Sequence, residues 1–529
     1  MGYMSFIDEI KKECGAPGAE AMDVREDEVY IETSNADFRK VCLTLHKRLN
    51  SPVMMYFASD DRKDKGVFTL YCVFLGGLFK KWFIVRSAIG RDDAEGMGSL
   101  AKEIYSASLF EREIAEMFGI KFAGHPDKRG LKLHNEVWPE GSYPLCKDFV
   151  PPQTYMTDGS EYKFNRVEGE GVFEVPVGPV HAGIIGPGHF RFSAAGEPII
   201  NLETRLGFTH RGVEKLLEGK DVSRAVHLSE HIAGDSAFAY SLAFSRAVEK
   251  ICGIKVPERQ EVLRGIYLEL ERMYNHAADI GGIALDVGFS FAAALASIMK
   301  ESILALNERT GGSRYLKNIN QAGGVKTDLD KDGVSLMTES LGPIMKDLGE
   351  LKTIMLSNIS FMDRVDTTGV LRKKTAIDLG IVGLAARSSG IPLDLRKTFP
   401  GIYESAGFNM KTQEEGDVLA RLNTRFAEFE ESARLIKKFL KMLDVGEPSS
   451  GRPVYGYKEG FALGYAEAWR GAVLVWVSLD ASGRVDRCKI VDPSFHNWHG
   501  LTYAVLGNII PDFPVCNKSF DLSYPGNDL

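Results

Sequence analysis

Behind Pro257, apolar residues recur at three- and four-residue spacing: Val262, Ile266, Leu270 and Met273 fall on one face of a predicted helix. Pro257 itself suits a first helical position. The same period predicts helices over 331–360, 373–388 and 412–444, the last with Leu419, Leu422, Phe426, Phe429, Ile436, Phe439 and Leu443 along one stripe. Together these read as a helix bundle. Nearer the N-terminus the pattern changes. Helices are expected over 3–14 and 36–50, and continuous apolar runs, "PVMMYFA", "GVFTLYCVFL" and "KWFIVRSAI", read as strands, with a charged "SDDRKDKG" turn between the first two. A helix over 97–117 closes this unit.

The segment "WPEGSYPLCKDFVPPQTYMTDGSEYK" is rich in Pro, Gly, Tyr and charge, as an extended connector is. The chain therefore divides into a small α+β domain over 1–137, a linker over 138–168 and a larger domain over 169–529. The larger domain opens with strands and Gly-Pro turns in "FEVPVGPVHAGIIGPGHFRFSAAGEPIINLETRLG". Helical territory starts at "HRGVEKLLEG", and the domain ends in "AVLVWVSL" and "RVDRCKIV", strands joined by the hairpin signal "DASG". The fold class is α+β: a small mixed domain followed by a helical bundle with peripheral strands.

Composition narrows the function classes. At 529 residues, 44% apolar and 26% charged, the chain reads as a globular protein with a large core. A formal net charge of -8 argues against a broad nucleic-acid face. The longest uncharged apolar run, Val67 to Phe79, is shorter than the roughly 18 residues that mark a membrane-spanning candidate. The N-terminus lacks the apolar stretch of a signal peptide, so a cytoplasmic location is expected, with membrane contact only through partners. Seven cysteines, none in a C-x-x-C pair, fit reduced thiols and supply no local thiolate cluster for zinc or iron-sulfur.

Among short motifs, "HLSEH" matches the H-x-x-E-H pattern of inverted zinc peptidases, with His227 and His231 one helical turn apart and Glu230 as the base; five residues make a weak signal. There is no G-x-x-x-x-G-K-[ST] and no G-x-S-x-G. His181 and His189 stand in Gly-Pro turns, where a histidine binds a ligand or simply bonds the loop.

Longer blocks carry a family resemblance. "FEREIAEMFGIKFAGHPDKRGL" resembles the smaller of two neighbouring peripheral-arm subunits of respiratory complex I. "GPVHAG", "LGFTHRGVEKL", "VEKICGIKVPERQEVLRGIYLELERMYNH" and "GLAARSSGIPLDLR" resemble its larger neighbour. "GYAEAWRGAVLVWV" and "KIVDPSFHNW" are similar to the large subunit of membrane-bound, energy-converting nickel-iron hydrogenases of the formate hydrogenlyase type, in some of which the two subunits are fused in this order.

The resemblance implies a metal site, and its residues contradict one. Four thiolates hold nickel and iron in such hydrogenases; the matching positions here are Ala233, Ser236, Ser523 and Gly526. Ala and Gly offer no ligand, and a Ser hydroxyl is not the soft anionic sulfur these metals need. No metal is therefore expected. The same comparison puts Glu230 at a proton-relay glutamate, surrounds the emptied position with Asp235, Ser236, Tyr240 and Asp521, and matches His181 to a quinone-binding histidine loop. The quinone-binding tyrosine does not carry over, because its place falls near Gly234. The implied partners are a small iron-sulfur subunit, a ferredoxin-like subunit, and quinone-channel-type and antiporter-like membrane subunits, with no nucleic acid. No cofactor would be bound by this chain; the iron-sulfur cluster would lie in the partner, and a quinone is a candidate ligand. Two roles stay open at this point beside the zinc peptidase: an oxidoreductase acting at the pocket, or a non-catalytic coupling scaffold of an ion-translocating complex.

Overall fold

The computed structural model describes residues 3–90, 96–152, 161–182, 185–443 and 456–529. In the first domain, Met55–Asp61, Val67–Gly76 and Lys81–Gly90 form an antiparallel meander, with Cys72 opposite both Tyr56 and Val85. Glu28–Glu32 adds in parallel to Lys81–Gly90, and Glu20–Arg25 completes the sheet at its edge. The middle of the central strands, Leu70–Leu75 and Trp82–Val85, is continuously apolar because both faces are covered. Helix Asn35–Leu49 packs on one face. Against the other lies Trp476 of the second domain, its ring 4.9 Å from Phe57 and 5.0 Å from Tyr71. The first core thus continues into Val382, Leu463, Leu474 and Phe495, so the two domains share buried apolar surface.

The second domain is built on the Glu258–Asp286 helix, packed between Ser290–Gly311 and Val418–Met442. Helix Ala237–Cys252 crosses a three-stranded sheet of Gly460–Glu467, Ala472–Leu479 and Val485–Val491. The approach is close enough to require glycine: a Cβ on Gly464 would stand 1.9 Å from the carbonyl oxygen of Ala243. A second three-stranded sheet, Val172–Val177, His189–Ala195 and Ile199–Arg205, carries the strands expected around the Gly-Pro turns.

Several predicted helices are shorter than their periodicity suggests; the one expected over 412–444 starts at Val418, where Asp417 caps it. The one expected over 97–117 begins at Ser108, because the buried carboxylate of Glu111 takes the N–H of Leu100 at 2.7 Å and the hydroxyl of Ser99 at 2.6 Å, holding the preceding segment unwound. The one expected over 373–388 splits into Lys373–Leu379 and Gly383–Ser388. Gly380 ends the first piece in the left-handed region, and the backbone at Gly383 meets that of Arg470. Strands Glu20–Arg25, Glu28–Glu32 and Gly460–Glu467 and helix Ser290–Gly311 were not legible from the pattern. Of the expected linker, 153–160 lies outside the described residues. No helix among the described residues is long and apolar enough to cross a membrane.

Candidate active site

The turn 233–236 precedes the Ala237–Cys252 helix, and its shape is fixed from below. The buried carboxyl of Glu271 accepts the N–H groups of Phe238 at 2.7 Å and Ala239 at 3.0 Å, two of the orphan donors of a helix start. Burial pushes Glu271 up to about 8. Asn275 and Tyr274 donate to the carbonyl of Asp235, and Trp469 Nε1 donates to the hydroxyl of Ser236 at 3.0 Å. The turn therefore rests on four polar side chains, Glu271, Tyr274, Asn275 and Trp469.

Opposite it lies the C-terminal segment. Asp521 ends the Phe513–Phe520 helix in the left-handed region, a conformation Asp tolerates. Ser523 then caps the Tyr524–Asp528 helix, its hydroxyl accepting the N–H of Gly526 at 2.9 Å. Arg470 ties the two segments together. Its Nη2 donates to Asp235 at 2.8 Å and Asp521 at 3.1 Å, its Nε donates to the carbonyl of Asp521, and the guanidinium carbon stands 3.8 Å from the centre of the Trp469 ring. Nη1 of the same residue is buried with no hydrogen-bond partner among the described residues. Lys518 donates to the other oxygen of Asp521 at 2.7 Å. Despite burial, Lys518 and Arg470 hold Asp521 well below the usual carboxylate range, while burial and the neighbouring Asp521 push Asp279 up to about 7. Asp279 is in turn bonded by Arg425 Nε at 2.8 Å, so the two acids and their three cations form one coupled buried network.

The four positions to which the resemblance assigns metal ligands lie on these two segments. Ala233 and Ser236 are buried on the first segment, and Ser523 and Gly526 on the second. Between them stands Asp492, whose Oδ2 accepts the hydroxyl of Tyr240 and whose Oδ1 accepts the N–H of Ser494 at 2.7 Å. A Cβ on Gly526 would come 2.7 Å from the Asp492 carboxylate. Nickel and iron held by four thiolates do not fit these residues: no sulfur is present at the four positions, and one side-chain space is taken by a carboxylate.

The structure gathers Asp235, Ser236, Tyr240 and Asp521 and sets Glu230 apart. Glu230 is 1% exposed, and both its oxygens accept the N–H of Asn318 at 2.9 Å. It lies on a cleft of about 530 Å³ lined by Val222, Val226, His227, Asn318 and Lys326 among others. Burial pushes it up to about 7, against the pull of Asn318, Lys326 and Lys317. His227 and His231 do not join it in a zinc geometry: His231 Nδ1 bonds the carbonyl of His227 at 2.8 Å. Among the described residues the cluster with metal-type spacing is instead Asp60, Cys146 and Asp148, and Arg62 already pairs with both of its carboxylates, at 2.7 and 2.6 Å.

His181 bonds the carbonyl of Gly188 at 2.8 Å, folding its loop on itself. The loop rests on Tyr524, which a Cβ on Gly186 or Gly188 would strike at 2.5 and 2.7 Å. The histidine loop therefore adjoins the segment bearing Ser523 and Gly526. Arg470, Asp492, Lys518 and Asp279 were missed as site residues by the sequence reading. Arg470 and Asp492 lay inside the blocks "AEAWRG" and "VDPSF", and that was the signal available.

Comparison with known proteins agrees with this architecture. Residues 31–155 match the family of the respiratory-chain NADH dehydrogenase 30 Kd subunit, and residues 286–460 that of the 49 Kd subunit. Formate hydrogenlyase subunit 5 of Escherichia coli is 31% identical over 89% of this chain and 84% of its own length. NADH-quinone oxidoreductase subunit 4 of Thermus thermophilus is 30% identical over 66% of this chain and 92% of its own. Among solved structures, a chain of the membrane-bound sulfane sulfur reductase, an archaeal respiratory membrane complex, superposes with a TM-score of 0.63 at 26% identity, covering 68% of this chain and 99% of that one.

Proposed function

Because the chain belongs to the family that fuses the 30 Kd and 49 Kd subunits of complex I, shared with membrane hydrogenases, we propose that it is the large subunit of a complex-I-like membrane oxidoreductase and lacks the nickel-iron site of the hydrogenases. Electrons would come from a small iron-sulfur partner and pass to a quinone or another small acceptor beside the Asp235–Arg470–Asp521 cluster. The observation that carries this reading is the Asp492 carboxylate standing against Gly526, on a site whose four ligand positions hold no sulfur.

The remaining groups suit the reduction of an acceptor that takes up protons with its electrons. Burial and the neighbouring Asp521 raise Asp279 to about 7, which suits it to exchange a proton near neutral pH. The buried, unpaired Nη1 of Arg470 is a donor for an acceptor atom that gains negative charge, and its worth is raised by the low local dielectric. The His181 loop on the adjoining face is the candidate quinone contact.

The test is to purify the complex through a tag on this chain, measure its nickel, and assay reduction of short-chain quinones with a dye as electron donor. Quinone reduction without nickel supports the reading. Nickel near one equivalent per chain overturns it, and an intact complex that reduces no acceptor hands the role to the coupling scaffold.

A further inference from the structure

Helix Pro493–Ala504 carries Phe495, His499 and Tyr503 at four-residue spacing, so one of its stripes presents rings. This stripe and Trp498 meet the Ile199–Arg205 strand and the loop 126–131 of the first domain around a cleft of about 450 Å³. Tyr105 and Tyr162 complete an aromatic lining, and exposed Tyr105 and Tyr503 open it to solvent. The rings of Tyr105 and His499 are 5.2 Å apart. Neither the His181 loop nor the Asp235–Arg470–Asp521 cluster contributes to the walls. The charges along the cleft are already paired: Arg129 holds Asp127 and Glu203, Arg112 approaches Asp127 at 3.3 Å, and Arg205 pairs with Glu136 at 2.6 Å. Hydrogen-bonding capacity is left over. Among the described residues, Trp498 Nε1 and Arg205 Nε are buried without a partner. The His499 ring makes no hydrogen bond among them either, and burial lowers it to about 4, so it is neutral. Buried donors in a native protein are as a rule met by protein, water or ligand.

Aromatic walls, paired charges and unused N–H groups in a cleft of this size suit a small flat ligand. An anion would find no spare cation, and a saturated chain would leave the donors unmet. We propose that the cleft binds an uncharged planar heteroaromatic ring system bearing ring carbonyl groups, its faces against Tyr105, His499 and Tyr503 and its carbonyl oxygens accepting from Trp498 Nε1 and Arg205 Nε. Both domains supply the walls, so this ligand lies across their junction. The cleft stands apart from the acceptor chemistry proposed above, and occupancy of one does not require the other.

The experiment uses the whole complex, purified through this chain. It is titrated with lumichrome, an uncharged tricyclic alloxazine with ring carbonyls, by fluorescence quenching and equilibrium dialysis, and in parallel with 2-naphthoate, a planar anion. A saturable lumichrome site on this chain is expected. Trp498→Phe and His499→Phe, which each keep a ring and remove its nitrogen, are expected to weaken it about tenfold. If either buried variant misfolds, Leu506→Trp decides: it fills the cleft from an exposed position of the lining and is expected to abolish binding. No saturable site means that the cleft holds water alone, and overturns the proposal. A lumichrome site that the variants leave intact lies elsewhere in the complex and overturns it too. If 2-naphthoate binds the tighter of the two and the same variants weaken it, the uncharged class is wrong.

Discussion

The carboxylate of Asp492 occupies the space into which a side chain on Gly526 would grow, with Cγ and Oδ2 both 2.7 Å from an ideal Cβ. The carboxylate is fixed there by the hydroxyl of Tyr240 and the N–H of Ser494. Gly526→Ala should therefore destabilise the protein by about 1–3 kcal/mol, as overpacking of a buried site does. Thermal melting checks it. Placing cysteine at 233, 236, 523 and 526 together should still not give a nickel-binding protein, since Asp492 blocks one of the four; nickel near one equivalent by elemental analysis would count against the assignment.

Tyr240→Phe keeps the ring and removes the hydroxyl from a fully buried carboxyl. Burial disfavours ionisation of both groups, and without the hydroxyl the Asp492 carboxyl is left with the N–H of Ser494. The variant should lose about 1.5–3 kcal/mol of stability. Denaturant titration with an unchanged slope is the expected form of the loss.

Glu230 gives a pH test with a defined sign. Its folded-state pKa is raised from the ordinary 4.5 to about 7. Between those values the unfolded chain sheds a proton that the folded chain keeps, so this group makes stability fall as pH rises through the window and level off above it. Glu230→Gln removes that fall. The variant should match wild type at pH 4, below both values, and be the more stable of the two at pH 8. If Glu230 also relays protons, turnover or ion coupling in Glu230→Gln should drop by roughly 10² to 10⁴; a fully active, fully coupled variant would remove that role.

Arg470→Met should be damaging as well. It leaves Asp235 and Asp521 without the guanidinium that joins them, a loss of about 1–3 kcal/mol, since Asp235 is partly exposed and Asp521 keeps Lys518. Arg470→Lys keeps the charge and loses the fork geometry. It should fold, and acceptor reduction should fall with KM rising more than kcat if Nη1 binds the acceptor.

Replacing His227 and His231 with Ala should leave metal content unchanged: His227 Nδ1 comes within 3.8 Å of Glu230, but His231 Nδ1 is taken by the His227 carbonyl and the three groups do not share metal-ligand spacing. Zinc lost together with a peptidase activity would revive the motif reading.

The sequence by itself settled the helix bundle, the strand runs and the order of the two domains, because periodicity and continuous apolar runs report which faces are buried. It also showed that no cysteine stands at 233, 236, 523 or 526, a matter of residue identity alone. Its reach stopped at convergence. Asp235 and Asp521 are distant in the chain and meet only because Arg470, on a turn after the Gly460–Glu467 strand, bonds both. Tyr240 meets Asp492 only because the Ala237–Cys252 helix lies against the C-terminal sheet. Glu230, five residues before Asp235, left that group for the opposite reason. At the end of the Val222–Ser229 helix its side chain turns to the N–H of Asn318 and a different cleft. Sequence spacing measures distance along the backbone, whereas electrostatics and hydrogen bonding act through space, and only the packing of helices on the sheet decided which of these charges became neighbours.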